Sequence, residues 1–155
     1  VRLRIETMGK RQQFGSLDEV LLLCRELDGL LPCLDFAHIL AREGKINSYR
    51  DFCQVLKKVE KKLGPRALSK AHIHISGVIF NQRGEIKHIN LDESEFCYDE
   101  WLQAIIETGL KGTIIVESPS LEVDALRLKG LYHNLKEKGT CTGLGRDNHD
   151  FLDTE

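Results

Sequence analysis

Four short apolar runs, each followed by a longer amphipathic stretch, constrain the fold of this sequence more than any other feature. The runs cover residues 3–5, 30–36, 71–75 and 113–116, and each has the length of a β-strand. In the stretches between them, apolar residues recur at helical spacing. Alternation of this kind predicts an α/β fold in which helical crossovers connect the strands of a parallel sheet.

Helix-start signals agree with this pattern. Ser16 and Ser48 each precede an acidic residue at capping distance, which is typical of a helix N-terminus. We expect a third helix around Trp101, and a fourth that begins near Ser118-Pro119 because proline suits the first helical turn. The sequence therefore contains about four βα units.

Four βα units are half of the eight that close a TIM-type (β/α) barrel of about 250 residues. Two architectures stay open: a small doubly wound sheet, or a half barrel or fragment of a TIM-type barrel. We expect residues 1–138 to form this (β/α)4 domain. Residues 139–155 are rich in Gly, Asp and Thr without periodicity and predict a loosely ordered tail.

Composition narrows the possible surroundings and partners. No apolar run approaches the roughly 20 residues of a membrane span. The five cysteines are widely spaced and form no Cys-x-x-Cys motif, which favours free thiols in a reducing, cytoplasmic setting. The formal net charge is −2, so bulk electrostatics give no support for nucleic-acid binding.

An ionisable residue occurs in or at the end of every predicted strand. These residues are Glu6, Asp35, His72 and Glu117. The carboxyl ends of parallel strands meet at one rim, where three carboxylates would repel one another without a cation. Mixed Glu, Asp and His ligands suit Zn²⁺, Mn²⁺ or Fe²⁺. For each residue alone, a helix cap, salt bridge or hydrogen-bonded histidine is the simpler interpretation, but all four units share the pattern.

The third unit contains a long excursion. Residues 81–84 resemble a turn, and a hairpin around them would bring His88 back toward the rim. The alternative is an exposed loop histidine. His74 is expected to face the helices, and His133 and His149 receive no role.

Several segments, taken in order, resemble the endonuclease IV family of apurinic/apyrimidinic endonucleases. No single segment is specific, and the ordered set over residues 1–135 carries the resemblance. The segments are Ile5-Glu6-Thr7-Met8-Gly9-Lys10 with Phe14-Gly15, Cys33-Leu34-Asp35-Phe36-Ala37-His38, Ala71-His72-Ile73-His74, Lys87-His88 with Leu91, and Val116-Glu117-Ser118-Pro119.

The resemblance implies the second half of a barrel with several Zn²⁺ ions at its mouth. Glu6 would bridge two metals, and a second metal would be completed by Asp35, His72 and Glu117. A third would be bound by His38 and His88. The carboxylate of that third site falls at Ile86, which cannot bind a metal, although Glu85 is adjacent. Two histidines from the family's first half have no counterpart here.

The implied activity is metal-dependent hydrolysis of the DNA backbone 5′ to abasic sites, in base-excision repair. Glu6 and Glu117 would be catalytic. Three cations in predicted loops would contact phosphates, unless they are ordinary solvated charges: Lys10, Arg11 and Lys87.

Two alternatives stay open. Sugar isomerases and epimerases of the xylose isomerase-like superfamily use a similar quartet around one Mn²⁺ or related ion. An inactive barrel fragment would bind metal without turnover. We expect either a homodimer or a missing N-terminal half barrel to cover the open sheet edges.

Overall fold

The computed structural model describes the backbone of residues 3–142 and the side chains of residues 3–138. Its strands are β1 (Leu3–Glu6), β2 (Leu30–Asp35), β3 (Ala71–Ile75), β4 (Gly77–Asn81), β5 (Gly84–Ile89) and β6 (Gly112–Val116). Its helices are α1 (Leu17–Glu26), α2 (Phe36–Glu43), α3 (Tyr49–Leu63), α4 (Arg66–Ser69), α5 (Tyr98–Glu107) and α6 (Glu122–Thr142), and one 3₁₀ turn spans Leu91–Glu93.

Four strands form a parallel sheet in the order β1-β2-β3-β6. The order follows the chain without the reversal that defines a doubly wound sheet. It is the strand order of consecutive units in a barrel. The four predicted strands and the parallel sheet are confirmed. Within the described residues the sheet does not close, so β1 and β6 are its edges.

The two faces of this sheet differ in chemistry. On β3, Ala71, Ile73 and Ile75 are buried against the helices, whereas His72 and His74 lie on the opposite face. We call the helix-covered side the outer face and the other the inner face. The outer face packs on an aromatic cluster in which the rings of neighbouring residues lie 5.4–6.5 Å apart: Phe36, Phe52, Phe96 and Trp101.

The predicted hairpin is present as β4 and β5, which pair antiparallel across the turn at residues 81–84. The register shifts once: Ile79 pairs with Lys87, but the next residue, Phe80, pairs with Glu85. Ile86 is therefore the extra residue of a β-bulge. A bulge of this kind moves the residues beyond it to the other face of the strand.

The helices differ from the sequence prediction in two places, namely at α2 and at the start of the last helix. Helix α2 was not predicted, because β2 runs directly into it and Asp35 is both the last strand residue and the N-cap. The last helix begins at Glu122 rather than near Ser118-Pro119, since a turn precedes it. Residues 139–142 of the predicted tail belong to α6, and residues 143–155 lie outside the described part of the chain.

No helix in the described part of the chain combines the length and the apolar composition needed to cross a bilayer. Cys33 and Cys53 are buried free thiols, while Cys24 and Cys97 are half-buried and also unpaired.

Candidate metal centre

Three carboxylates and one histidine converge at the carboxyl ends of the parallel strands. Glu6 ends β1, Asp35 ends β2, His74 lies on β3 and Glu117 follows β6. One donor atom from each lies within 4.8 Å of the others. Nδ1 of His74 is 3.2 Å from Oε1 of Glu6 and 3.2 Å from Oε1 of Glu117. We call these four residues the carboxylate site.

Asp35 is the buried member of the carboxylate site. Its side chain is fully buried, and Oδ1 accepts the backbone N–H of His38 at 2.8 Å. Oδ2 accepts no hydrogen bond from the described residues, although Nδ1 of His38 lies 3.4 Å away. Burial raises the pKa of this carboxyl, and the nearby His38 opposes that effect. An ionised carboxylate with a free, buried oxygen is costly unless a cation meets it.

The charges around the carboxylate site fit a bound divalent cation. Among the described side chains, no Lys or Arg forms an ion pair with its three carboxylates, whose ion-pair partners are His38 and His74. A shared imidazole proton cannot neutralise Glu6 and Glu117 together. The donor set of carboxylate oxygens and one imidazole nitrogen matches those of Zn²⁺ and Mn²⁺ sites.

The histidine of the carboxylate site is His74, whereas the sequence prediction placed His72 in this position. Residues two apart on a strand share a face, so His72 and His74 both lie on the inner face, with ring centroids 5.3 Å apart. The expectation that His74 would face the helices is therefore wrong. His72 lies one layer further from the rim, where burial and the charge of Arg4 lower its pKa.

A second donor cluster lies beside the first. Nε2 of His38 is 3.1 Å from Nε2 of His88 and 3.2 Å from Oε2 of Glu85. We call His38, His88 and Glu85 the imidazole site. Nδ1 of His38 lies 2.9 Å from the carbonyl oxygen of Thr7, to which an Nδ1–H donates. In the neutral imidazole this bond places the proton on Nδ1, so that Nε2 can bind a metal.

The β-bulge explains why Glu85 belongs to the imidazole site. In a regular strand His88 and Ile86 would share a face, and Glu85 would point away. Because Ile86 is the bulged residue, Glu85 lies on the side of His88, and Ile86 is 54% exposed. Glu85 therefore supplies a carboxylate to the imidazole site, where the resemblance had placed one at position 86.

The loop after β1 forms one wall of the rim and contains Lys10 and Arg11. The guanidinium of Arg42, on α2, donates to loop carbonyls at 2.7–3.3 Å, namely those of Met8, Lys10, Arg11 and Gln13. Nε of Arg11 donates in return to the carbonyl of Arg42 at 2.7 Å. Sequence reasoning missed Arg42, because nothing in the spacing of a helical arginine indicates which distant loop it binds.

The three predicted phosphate contacts have different surroundings. Lys10 is exposed and forms an isolated β-bridge with Gly84. Arg11 uses its Nε within the loop contact to α2. Lys87 is exposed and pairs with Ile79, on the face of the hairpin opposite to His88. The role of these residues in substrate binding stays a prediction.

Comparison with known families agrees with this architecture. The family model described as xylose isomerase-like TIM barrel matches residues 1–136. The chain belongs to this family. Its fold is thus a fragment of a xylose isomerase-like TIM barrel, with four parallel strands in the described residues.

Two similar proteins show what share of a longer chain this sequence matches. An uncharacterized protein of Methanocaldococcus jannaschii is 48% identical over 136 residues, which cover 87% of this chain and 50% of that protein. The solved structure titled "The crystal structure of AsfvAP:AG" superposes with a TM-score of 0.59 at 18% identity, covering 88% of this chain and 52% of that one. The chain thus spans about half the length of both.

Proposed function

We propose that this chain is the metal-binding half of an endonuclease IV-type phosphodiesterase that hydrolyses DNA 5′ to abasic sites. The observation that carries the proposal is the imidazole site beside the carboxylate site. Oδ1 of Asp35 binds the backbone of His38, and Oδ2 lies 3.4 Å from Nδ1 of the same histidine, so the two sites share a wall. Adjacent metal sites are typical of enzymes that cleave phosphoesters.

The residues that would hold metals follow from the donor atoms. Glu6, Asp35, His74 and Glu117 would hold one ion, and His38, His88 and Glu85 another, with Zn²⁺ the metal that best suits both sets. Bound metals of this class lower the pKa of a bound water to near neutrality and neutralise phosphate charge.

The chain's own carboxylates supply the proton chemistry at the open side of the site. The side chains of Glu6 and Glu117 are each 33% exposed, so both are accessible to water and substrate. Glu117 would accept a proton from the attacking water, and Glu6 would orient it. Lys10, in the rim loop, would bind the DNA backbone next to the cleaved bond.

Metal stoichiometry tests the arrangement directly. The metal-free chain, titrated with Zn²⁺ and followed by native mass spectrometry, should bind at least two ions. His88→Gln should remove the ion of the imidazole site and Glu117→Gln the ion of the carboxylate site, while His133→Gln, on α6, should change nothing. If a single ion binds and persists in His88→Gln, the two-site arrangement is wrong.

Cleavage of a duplex with one abasic site tests the activity. The protein that carries this chain should nick 5′ to the lesion and leave an undamaged duplex intact. Glu117→Gln should abolish nicking with Zn²⁺ still bound at the imidazole site. Metal binding without nicking would favour an inactive metal-binding fragment.

A sugar isomerase or epimerase is the second candidate, because the carboxylate site alone can hold one Mn²⁺ between Glu6 and Glu117. Those two carboxylates would then move a proton beside a sugar carbonyl. Interconversion of an aldose and a ketose, unaffected by His88→Gln, would support this candidate against the nuclease.

The sheet edges call for a partner that supplies more strands. β1 and β6 each lack a neighbour on one side among the described residues, and Leu3 and Ile115 are exposed there. We propose that the other half of a barrel covers these edges, from the same polypeptide or from a second copy. Light scattering on the isolated chain should show a dimer or a marginally stable species; a stable monomer would contradict this.

A further inference from the structure

A third group of donor side chains lies on the inner face, one layer below the carboxylate site. Cys33 pairs with Glu6 of β1. The register that pairs Asp35 with His74 places Cys33 beside His72, two residues earlier on both strands. Cα atoms of neighbouring strands are about 4.8 Å apart, so the Cys33 and His72 side chains lie next to each other on the inner face.

The donor atoms of this group are close enough to share an ion. Sγ of Cys33 and one ring nitrogen from each of His72 and His74 lie within 4.8 Å of one another. Donors around a tetrahedral Zn²⁺, with bonds of about 2.0–2.3 Å, are about 3.4–3.7 Å apart. Side-chain movements of about 1 Å would therefore bring the three donor atoms to tetrahedral distances, and the strand register already places the three residues side by side.

We propose that Cys33, His72 and His74 form a further binding site, for a thiophilic divalent cation of the Zn²⁺ or Cd²⁺ class. A sulfur and two imidazole nitrogens prefer soft or borderline ions, in contrast to the oxygen-rich carboxylate site. Binding breaks the S–H bond of Cys33, forms the S–metal bond and releases the proton to solvent, without change of oxidation state. The two sites share His74, so occupation of one affects the other.

The charge of Arg4 acts on both Cys33 and His72, but its guanidinium is hydrogen-bonded elsewhere. The guanidinium of Arg4 donates to the carbonyls of Pro32 and Lys70, at 3.2 and 3.0 Å. These bonds hold it at the amino-terminal end of the sheet. The thiolate formed on binding and the neighbouring Glu6 supply negative charge that compensates the cation. The proposal of this site does not rest on the proposed nuclease activity.

Co²⁺ is a suitable probe because a thiolate ligand gives it an ultraviolet charge-transfer band and a tetrahedral site gives it strong visible bands. The metal-free 155-residue chain, titrated with Co²⁺, should develop both. Cys33→Ser should abolish the charge-transfer band. His72→Gln should weaken Co²⁺ binding at this site by about 10- to 100-fold or more, since even an indirect partner of a ligand has effects of that size.

Two control variants separate this site from the rest of the chain. Cys97→Ser removes a half-buried thiol at the start of α5 and should leave the band unchanged. Glu117→Gln disrupts the carboxylate site and should also keep the band, so failure of that site is distinguishable. Circular dichroism confirms folding of each variant. Absence of the band at saturating Co²⁺, or its persistence in Cys33→Ser, would overturn the proposal.

Discussion

The outer and inner faces of the sheet solve different physical problems with the same four strands. On the outer face, Ile73 and Ile75 are fully buried among helices, where apolar area removed from water provides stability. On the inner face, His72, His74 and Asp35 bring together groups that are unfavourable to bury without a cation. The alternation of side chains along β3 therefore separates the apolar residues that stabilise the fold from the polar residues of the candidate site. Each face can be tested by itself.

The largest effect is expected from the outer face. Ile73→Ala removes a fully buried side chain between the two histidines of β3. It should lower the free energy of unfolding by about 2–5 kcal/mol, measured by urea denaturation. The loss should be the same with Zn²⁺ and with chelator. A loss that appears only in chelator would mean that the two faces are not separable.

The inner face should behave in the opposite way. In Asp35→Asn the amide oxygen still accepts the His38 N–H, so the cap of α2 is kept. Without metal, the variant should be as stable as the wild type or more so. With Zn²⁺ at about 100 times its Kd, the wild type should gain about 2.7 kcal/mol and the variant much less. Asp51→Asn, at the start of α3, is the matched control and should keep the gain.

Asp35 should also make the stability of the metal-free protein depend on pH. Burial raises the pKa of Asp35 above its ordinary value of 3.8. A raised carboxyl pKa favours the protonated folded state, so the metal-free wild type should lose stability as pH rises above about 3.8 and through the folded-state pKa. Asp35→Asn should remove that part of the pH dependence in denaturation at different pH values. An unchanged profile would contradict the assignment to Asp35.

A smaller effect tests whether the rim is held by polar contacts rather than by packing. Arg42→Ala removes the donors to four carbonyls of the β1–α1 loop, and should cost about 1–3 kcal/mol. Trypsin should then cleave faster after Lys10 and Arg11. Arg25→Ala, which removes only an exposed ion pair with Glu26, should change little. Equal cleavage in both variants would argue against the contact.

The smallest effect is expected on metal affinity, at the hairpin residues beside the imidazole site. Glu85→Gln should weaken Zn²⁺ binding at the imidazole site by about 10-fold or more, whereas Ile86→Asp, at an exposed position, should not strengthen it. Isothermal titration calorimetry would measure both. Tighter binding in Ile86→Asp would show that residue 86, not residue 85, faces the imidazole site.

Sequence periodicity was sufficient for the strands, the sheet type and three carboxylates of the rim. It was insufficient where neighbouring residues compete. His72 and His74 share a face, so only the exact end of β3 decides which of them reaches the rim. Helix α2 was missed because Asp35 ends the strand and caps the helix with no loop between them. Arg42 acts through backbone carbonyls, which carry no sequence signal.

The bulge at Ile86 and the regular strand β3 differ in how one extra residue affects the position of metal ligands. An extra residue at the start of β3 would place His74 among the apolar residues of the outer face and Ile73 on the inner face, which would destabilise the fold. Within β5, the bulge accommodates the extra residue Ile86, and Glu85 stays on the side of His88. In β5, therefore, the spacing between an acidic residue and His88 does not by itself decide whether the two side chains can bind one metal, because a bulge changes which residues share a face.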